Sequence, residues 1–145
     1  MKRAPIAAVD SGPLVALHHR ADHLRSAMDV WLQAQEVSPD FSRFITVDHV
    51  VDEVHTTLLR TVGRGHASAF AARLLVDPLI EVAQADPSAV LARASGILPR
   101  TRQDTGLTFT DLALVEMMQE RGIRHVLSFD RGLASLGVEV VVPGG

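Results

Sequence analysis

Short apolar runs alternate with longer stretches in which apolar residues recur at helical spacing, and this pattern starts at the amino end. Residues Ile6–Val9 form an apolar run that stops at Asp10-Ser11-Gly12-Pro13, which predicts a buried strand followed by a turn. Apolar positions continue to residue 17, and residues 21–35 then show helical spacing. We expect two helices there, the first beginning near the proline, which suits a first helical turn.

The middle of the chain repeats this order of strand and helix. Residues Arg43–Val47 predict a second strand, and Asp48 is a suitable N-cap for the helix that follows it. Glycines at positions 63 and 65 predict a break, after which residues 66–76 resume helical spacing as far as an Asp-Pro pair. Residues 79–83 predict a third strand, and a further helix follows the next proline. The stripe of the helix after Asp48 consists of Val50, Val51, Val54 and Leu58.

The last third of the chain adds one more helix between two strands. Residues 100–106 are polar and predict a loop, and residues 108–119 predict a helix that Gly122 closes. Residues 125–129 and 138–142 predict the fourth and fifth strands. Strands that alternate with helices, without repeats or a linker, predict a single α/β domain over residues 1–145. Its five-stranded sheet is expected to be mostly parallel and flanked by helices.

Composition restricts the kinds of chemistry that this chain of 145 residues can carry. It has no cysteine, which excludes disulfides, thiolate zinc sites and cysteine nucleophiles. Its apolar runs are far shorter than the ~20 residues that span a bilayer, so we expect no membrane association and a cytoplasmic location. The net charge is −3, which is not the basic field of a general nucleic-acid binder. Any contact with nucleic acid must therefore be local.

Four acidic residues fall where a parallel sheet would bring them together. Asp10 and Asp130 directly follow the first and fourth predicted strands, and ligands of parallel sheets bind at the carboxyl ends of the strands. Asp111 lies in the first turn of a predicted helix, and Glu53 lies near the start of another. Because helices begin at that same edge of the sheet, we expect all four carboxylates to share one crevice.

Each of these acids also has a purely local interpretation. Asp10 can cap the helix after the first strand, and Asp130 can be an ordinary turn residue. Asp111 closes Thr108-Phe109-Thr110-Asp111, an acidic form of the capping box that also complements the helix dipole. Periodicity places Glu53 and Asp52 on opposite flanks of the apolar stripe and barely separates them.

The chemistry of clustered carboxylates favours a divalent cation. Four carboxylates in one crevice would repel one another and raise some of their pKa values unless a cation neutralised them. Mg²⁺ prefers oxygen ligands and retains several waters, so it can bind a phosphate oxygen and activate a water for attack on phosphorus. The pattern therefore indicates hydrolysis of phosphodiester bonds.

Four sequence blocks in order resemble the PIN domain family, and within it the VapC-type toxin ribonucleases. The first runs from Val9 to Leu17 and contains Asp10, and the second runs from Thr46 to Val54, where the comparison favours Glu53 over Asp52. The third is residues 104–111, and the last is residues 122–131, in which the predicted strand ends in Ser-Phe-Asp at residues 128–130. The chain departs from the family at Gly12-Pro13, which is more rigid than usual, and at Leu133, where phenylalanine is common.

The resemblance implies a fold, an activity and a set of site residues. It implies a parallel five-stranded α/β fold, RNA cleavage with Mg²⁺ or Mn²⁺, homodimerisation and neutralisation by a cognate antitoxin. The implied catalytic and metal-binding residues are Asp10, Glu53, Asp111 and Asp130. The implied auxiliary residues are Ser11, Asp104, Thr110 and Ser128.

Other interpretations of the sequence stay open. Arg60, Arg64 and Arg73, with His66, could form a basic rim that binds RNA phosphates, or an ordinary solvated face. A housekeeping RNA-processing nuclease and a non-catalytic PIN module are alternatives to a toxin. A phosphotransfer domain of the receiver or haloacid-dehalogenase type normally needs a second acid beside Asp10 and a late lysine. The sole lysine is Lys2, which makes that alternative weaker.

Overall fold

A strand that is buried on both faces lies at the centre of the fold. In the computed structural model, which describes residues 3–96 and 107–145, strand β1 (Ile6–Val9) places Ala7, Ala8 and Val9 in succession at no more than 3% exposure. Because successive side chains of a strand point to opposite faces, both faces of β1 must be covered. This burial on both faces explains why every residue of β1 is apolar.

All five strands are parallel and form one sheet, as predicted. The sheet order is β3-β2-β1-β4-β5, so the chain first builds outward from β1 on one side and then returns to its other side. The order therefore reverses between β1 and β4, and such a reversal leaves a crevice at the carboxyl ends of the two strands. The other strands are β2 (Arg43–Val47), β3 (Ile80–Ala83), β4 (His125–Leu127) and β5 (Glu139–Val141).

Helices connect the strands and supply much of the core. Helix α6 is the most deeply packed, because the four consecutive residues from Leu112 to Val115 are each at most 3% exposed. In α3 the predicted stripe is correct at Val50, Val54 and Leu58, which are fully buried. The helices are α1 (Ser11–His18), α2 (Arg25–Val37), α3 (Asp48–Thr61), α4 (Arg64–Val76), α5 (Pro87–Ala94) and α6 (Phe109–Arg121), and a 3₁₀ helix spans Arg131–Leu136.

Several element boundaries differ from the predicted ones. Helix α2 begins at Arg25 rather than at residue 21, because the Asp22 carboxylate accepts the Leu24 N–H at 2.9 Å and forms a turn there. Helix α4 begins at Arg64, since only Gly63, with φ of 99°, interrupts the helical path. Strand β4 ends at Leu127, two residues earlier than predicted.

The predicted N-cap role of Asp48 is wrong. Asp48 is the first residue of α3, and Val47 precedes it in extended conformation. One Asp48 carboxylate oxygen accepts the N–H groups of His49 at 3.0 Å and of Ala85 at 3.1 Å, which ties α3 to the segment after β3. These hydrogen bonds hold the pKa of Asp48 below its usual range, although partial burial opposes them.

Across residues 3–96 and 107–145, every helix is too short or too polar to cross a bilayer.

Candidate active site

A crevice of about 400 Å³ opens at the carboxyl ends of β1 and β4, and all four acids singled out in the sequence line it. Asp10 follows β1, Asp130 follows β4, Glu53 lies on α3, and Asp111 lies at the start of α6. The four elements that supply these carboxylates are far apart in sequence and meet only in the folded chain. Among the described residues, the lining consists of Asp10, Ser11, Gly12, Glu53, Thr108, Asp111, Ser128, Phe129 and Asp130.

Asp10 is the buried anchor of the crevice, at 6% exposure. Its main-chain N–H extends the pairing of β1 with β4 by donating to the Leu127 carbonyl at 2.9 Å. One carboxylate oxygen accepts the Ser11 N–H at 2.8 Å, and the other accepts the Ser128 hydroxyl at 2.7 Å. Burial nevertheless raises the pKa of Asp10, and the charges of Asp111 and Asp130 add to the increase.

Ser128 connects Asp10 to Asp130. While its hydroxyl donates to Asp10, the same oxygen accepts the Asp130 main-chain N–H at 2.9 Å, and Ser128 itself is fully buried. The Asp130 carboxylate in turn accepts the Gly132 N–H at 2.8 Å. A Cβ atom at Gly132 would lie 2.9 Å from that carboxylate oxygen, so any other residue there would displace the Asp130 carboxylate from this position. One buried hydroxyl thus fixes the geometry of both acids.

The structure places Glu53, and not Asp52, in the crevice. Glu53 is exposed, but partial desolvation raises its pKa, followed by the charge of Asp10 and, more weakly, those of Asp111 and Asp52. A hydrogen bond with the Ser11 side chain acts in the opposite direction. Helical periodicity alone did not separate the two acids, because the distinction depends on which flank of α3 faces β1.

Asp111 caps α6 and also lines the crevice. Its carboxylate accepts the Thr108 N–H at 2.9 Å and its own N–H donates to the Thr108 hydroxyl at 3.1 Å, which completes the capping box of α6. The same carboxylate lines the crevice and raises the pKa values of Asp10 and Glu53. The cap fixes the carboxylate at the crevice, so the two interpretations do not compete.

The auxiliary residues divide into three groups. Ser11 and Ser128 line the crevice, whereas Thr110 is half-buried and does not line it. Asp104 lies outside the described residues. The sequence did not indicate that Gly12 and Phe129 line the crevice, but their contact explains the Gly-Pro departure, since a Cβ atom at Gly12 would lie 3.1 Å from the Phe129 ring. Pro13 occupies the third position of α1, where the missing N–H has no helical partner to lose.

The arginines that were expected to form a basic rim do not line the crevice. Arg60 and Arg64 are exposed on α3 and α4. Arg73 lies 3.6 Å from Asp77 and lines a different cavity, an apolar one of about 170 Å³ that also contacts His18 and Trp31. The burial of His18 in that cavity lowers its pKa, and the charge of Arg73 contributes.

The donor set of the crevice suits a hard cation. In residues 3–96 and 107–145, no arginine, lysine or histidine forms an ion pair with any of the four acids, and hydroxyl and N–H groups are their only partners. Oxygen ligands with uncompensated negative charge are what Mg²⁺ and Mn²⁺ prefer. Within the same described ranges, no group of three or more His, Asp or Glu side chains is arranged to hold one ion.

Comparisons with known proteins agree with this architecture. The family description "PIN domain" matches residues 7–139 of the chain. No curated protein sequence is similar enough to the chain to be matched. Solved structures supply the remaining similarities.

Three solved structures are similar over almost their full lengths. A toxin of Mycobacterium tuberculosis, VapC20, described as cleaving the sarcin–ricin loop, is 22% identical, with 92% of this chain and 95% of that chain covered and a TM-score of 0.74. VapBC2 of Rickettsia felis, bound to a promoter DNA fragment, is 8% identical, with coverages of 94% and 98% and a TM-score of 0.65. FitAB bound to a DNA fragment is 15% identical, with coverages of 97% and 96% and a TM-score of 0.63. At these identities the similarity shows the fold.

Proposed function

The chain belongs to the PIN domain family, whose members are nucleases, and from that premise we propose that it is a magnesium-dependent endoribonuclease that cuts RNA within the strand. One observation carries the proposal. Four carboxylates from four separate elements line a single crevice, and the described residues offer them no cationic partner. Such a site needs an external cation and suits a phosphate ester.

Asp10, Glu53, Asp111 and Asp130 are the residues that would hold the cation. A bound divalent ion supplies charge neutralisation and an activated water for attack on phosphorus. The chain itself orients the ligands. Ser128 and the Ser11 N–H fix Asp10, the capping box fixes Asp111, and the Gly132 N–H fixes Asp130, whereas the exposed Glu53 side chain keeps more freedom to adjust.

Hydrolysis of a circular RNA tests the proposal directly, because a circle has no end for an exonuclease. We expect the purified chain to linearise the circle when Mg²⁺ or Mn²⁺ is present and to stop when a chelator is added. Asp10→Asn should remove the activity, since the amide cannot supply the anionic oxygens. If a separately purified Asp10→Asn protein cleaves as fast as the native chain, the activity belongs to a contaminant and the proposal fails.

We further propose that this nuclease is the toxin of a toxin–antitoxin pair, acts in the cytoplasm and forms a homodimer. Similarity to a structure described as a toxin supports this, together with the four blocks that resemble VapC-type ribonucleases. Expression of the chain should arrest growth, and co-expression of an adjacent small gene should relieve the arrest. An isolated gene that is harmless on overexpression would favour a housekeeping RNA-processing nuclease.

Sedimentation tests the proposed homodimer. If the chain is only monomeric at micromolar concentration, the homodimer proposal is wrong.

A further inference from the structure

Phe109 is the most exposed aromatic residue of the chain. The sequence contains five phenylalanines, one tryptophan and no tyrosine, and all six rings lie in described residues. Phe70, Trp31 and Phe41 are buried, and the remaining two are half-buried, whereas Phe109 is 39% exposed. Burial in the core therefore does not explain why an aromatic side chain occupies this position.

Phe109 lies beside the acidic crevice and contacts a second ring there. It directly follows Thr108 and precedes Asp111 by two residues, and both of these line the crevice. Its ring centroid is 5.4 Å from that of His49, with the planes inclined at 49°. His49 precedes Glu53 by four residues, so both lie on one face of α3. The two rings thus bridge the starts of α3 and α6, the same helices that supply Glu53 and Asp111.

The histidine ring is held in place from behind. His49 Nδ1 lies 3.1 Å from the Asp48 carboxylate, and that carboxylate also accepts the Ala85 N–H at 3.1 Å. With these hydrogen bonds in place, the His49 side chain is still 38% exposed. The fixed His49 ring thus supports the partly exposed Phe109 ring, and one face of Phe109 stays available beside the anionic site.

An aromatic ring beside the acidic crevice can bind RNA through an interaction that does not depend on charge. The whole chain carries a charge of −3, the crevice carries four carboxylates, and the arginines Arg60, Arg64 and Arg73 do not line it. Among the described residues, the lining of the crevice therefore offers no basic side chain that could attract a phosphate. Every nucleobase has a π face that can stack on an aromatic side chain irrespective of charge, and such stacking tolerates many sequences.

We propose that Phe109, supported by His49, stacks on a nucleobase next to the phosphodiester that is cut, and that this base is unpaired. The inference rests on the proposed ribonuclease function and adds a substrate-binding residue to it. Bases inside a duplex have both faces occupied by their neighbours, so a stacking surface of this kind selects a single strand, a loop or a bulge. Phe109 then acts in substrate binding and has no part in proton transfer.

Fluorescence of a short single-stranded RNA that carries 2-aminopurine tests the stacking, because an aromatic neighbour quenches that base. On an Asp10→Asn background, which prevents cleavage and removes one negative charge from the crevice, the chain with Phe109 in place should bind the RNA in Mg²⁺ and quench one position of the label. Phe109→Leu, which keeps an apolar side chain, should weaken binding about 5-fold to 100-fold and abolish the quenching. Phe109→Trp should retain both. Leu91→Ala, at another exposed apolar position, should behave as the native chain does.

Steady-state cleavage with Mg²⁺ separates binding from chemistry. Phe109→Leu should raise KM by a similar factor and leave kcat and the thermal unfolding midpoint unchanged, and the loss should be confined to unpaired RNA. An unchanged KM in Phe109→Leu, or an equal loss on duplex RNA, overturns the stacking proposal alone. The stacking proposal is also overturned if Phe109→Leu binds RNA as tightly as the native chain does but binds a partner protein more weakly. A native chain that neither binds nor cleaves RNA overturns the proposed function as well.

Discussion

The two edges of the one sheet treat charge in opposite ways. At the amino edge, a concavity of about 640 Å³ is rich in arginine, and the nearby acids are paired within the chain. Arg121 lies 2.6 Å from Glu81, and Arg124 lies 3.1 Å from Glu139, which also contacts His125 at 2.8 Å. At the carboxyl edge, four acids meet, and within the described residues only hydroxyl and N–H groups contact them.

Hydrogen bonds and ion pairs have different consequences for these acids. An ion pair neutralises a carboxylate. A hydroxyl or N–H donor leaves the charge in place and only lowers the free energy of the charged form. At Asp10 the two hydrogen bonds do not compensate for burial, and the pKa of the carboxyl is raised. The acids near the amino edge, Glu81 and Glu139, are therefore paired with basic side chains of the chain, while the described residues leave the four acids of the carboxyl edge without a cationic partner. Departures from local balance of this kind are typical of functional sites.

The largest expected effect comes from removing one charge at the carboxyl edge. Glu53→Gln should lower magnesium-dependent cleavage by at least about 100-fold, since loss of even an outer partner of a metal ligand lowers activity by 10- to 100-fold. Its neighbour Asp52→Asn is the matched control, because Asp52 does not line the crevice. Initial rates on one RNA measure both variants. Equal losses in the two would show that the charge of α3, rather than the crevice, matters.

A smaller effect is expected from the hydroxyl that connects two of the acids. Ser128→Ala removes the donor to Asp10 and the acceptor for the Asp130 N–H, so cleavage should fall about 10- to 100-fold and the free energy of unfolding by about 1–3 kcal/mol. Ser42→Ala, at the amino edge, should change neither, because its hydroxyl makes one long contact of 3.4 Å with Pro5. Urea titration and cleavage rates measure the two effects. Native activity in Ser128→Ala would contradict the positioning role.

The uncompensated charge should also appear as a stability that depends on pH and metal. In the folded chain the pKa of Asp10 is raised, whereas in the unfolded chain it lies near 3.8. Below pH 3.8 both states hold the proton, and as the pH rises through the folded pKa the native chain loses stability relative to Asp10→Asn. Chelator-treated native protein and variant, unfolded by urea across this pH range, should therefore diverge with rising pH.

Magnesium should reverse that divergence at neutral pH. At ten times its Kd, a ligand that binds only the folded state raises the free energy of unfolding by about 1.4 kcal/mol. The native chain should gain this stability, and Asp10→Asn should gain less. A constant difference between the two proteins at every pH, with or without Mg²⁺, would show that the acids of the carboxyl edge carry no uncompensated charge.

The smallest effect is expected at the amino edge. Arg121→Gln breaks the ion pair with Glu81, but both side chains are close to half exposed, at 46% and 43%. Exposed pairs contribute at most about 1 kcal/mol, so the free energy of unfolding should fall by less than that and cleavage should not change. Thermal unfolding and cleavage rates measure the outcome. A loss of cleavage in Arg121→Gln would mean that the two edges are functionally connected.

Much of this molecule follows from local sequence. Runs such as Ile6–Val9 predict strands because burial on both faces demands continuous apolar residues. The positions of Asp10 and Asp130 directly after β1 and β4 predict one shared edge, since parallel strands end together. The capping box of Thr108 and Asp111 is also visible in the sequence, because its partners are only three residues apart.

Only the tertiary structure decides which side chains actually meet. The hydroxyl of Ser128 reaches Asp10 across 118 positions of sequence, and the rings of His49 and Phe109 meet only where α3 packs beside α6. Periodicity left Glu53 and Asp52 undecided, and it could not show that Arg73 would line a different cavity. Local patterns fix where elements begin and which face is apolar. The rotation and placement of each element arise from core packing among distant residues, and these set the geometry of the crevice.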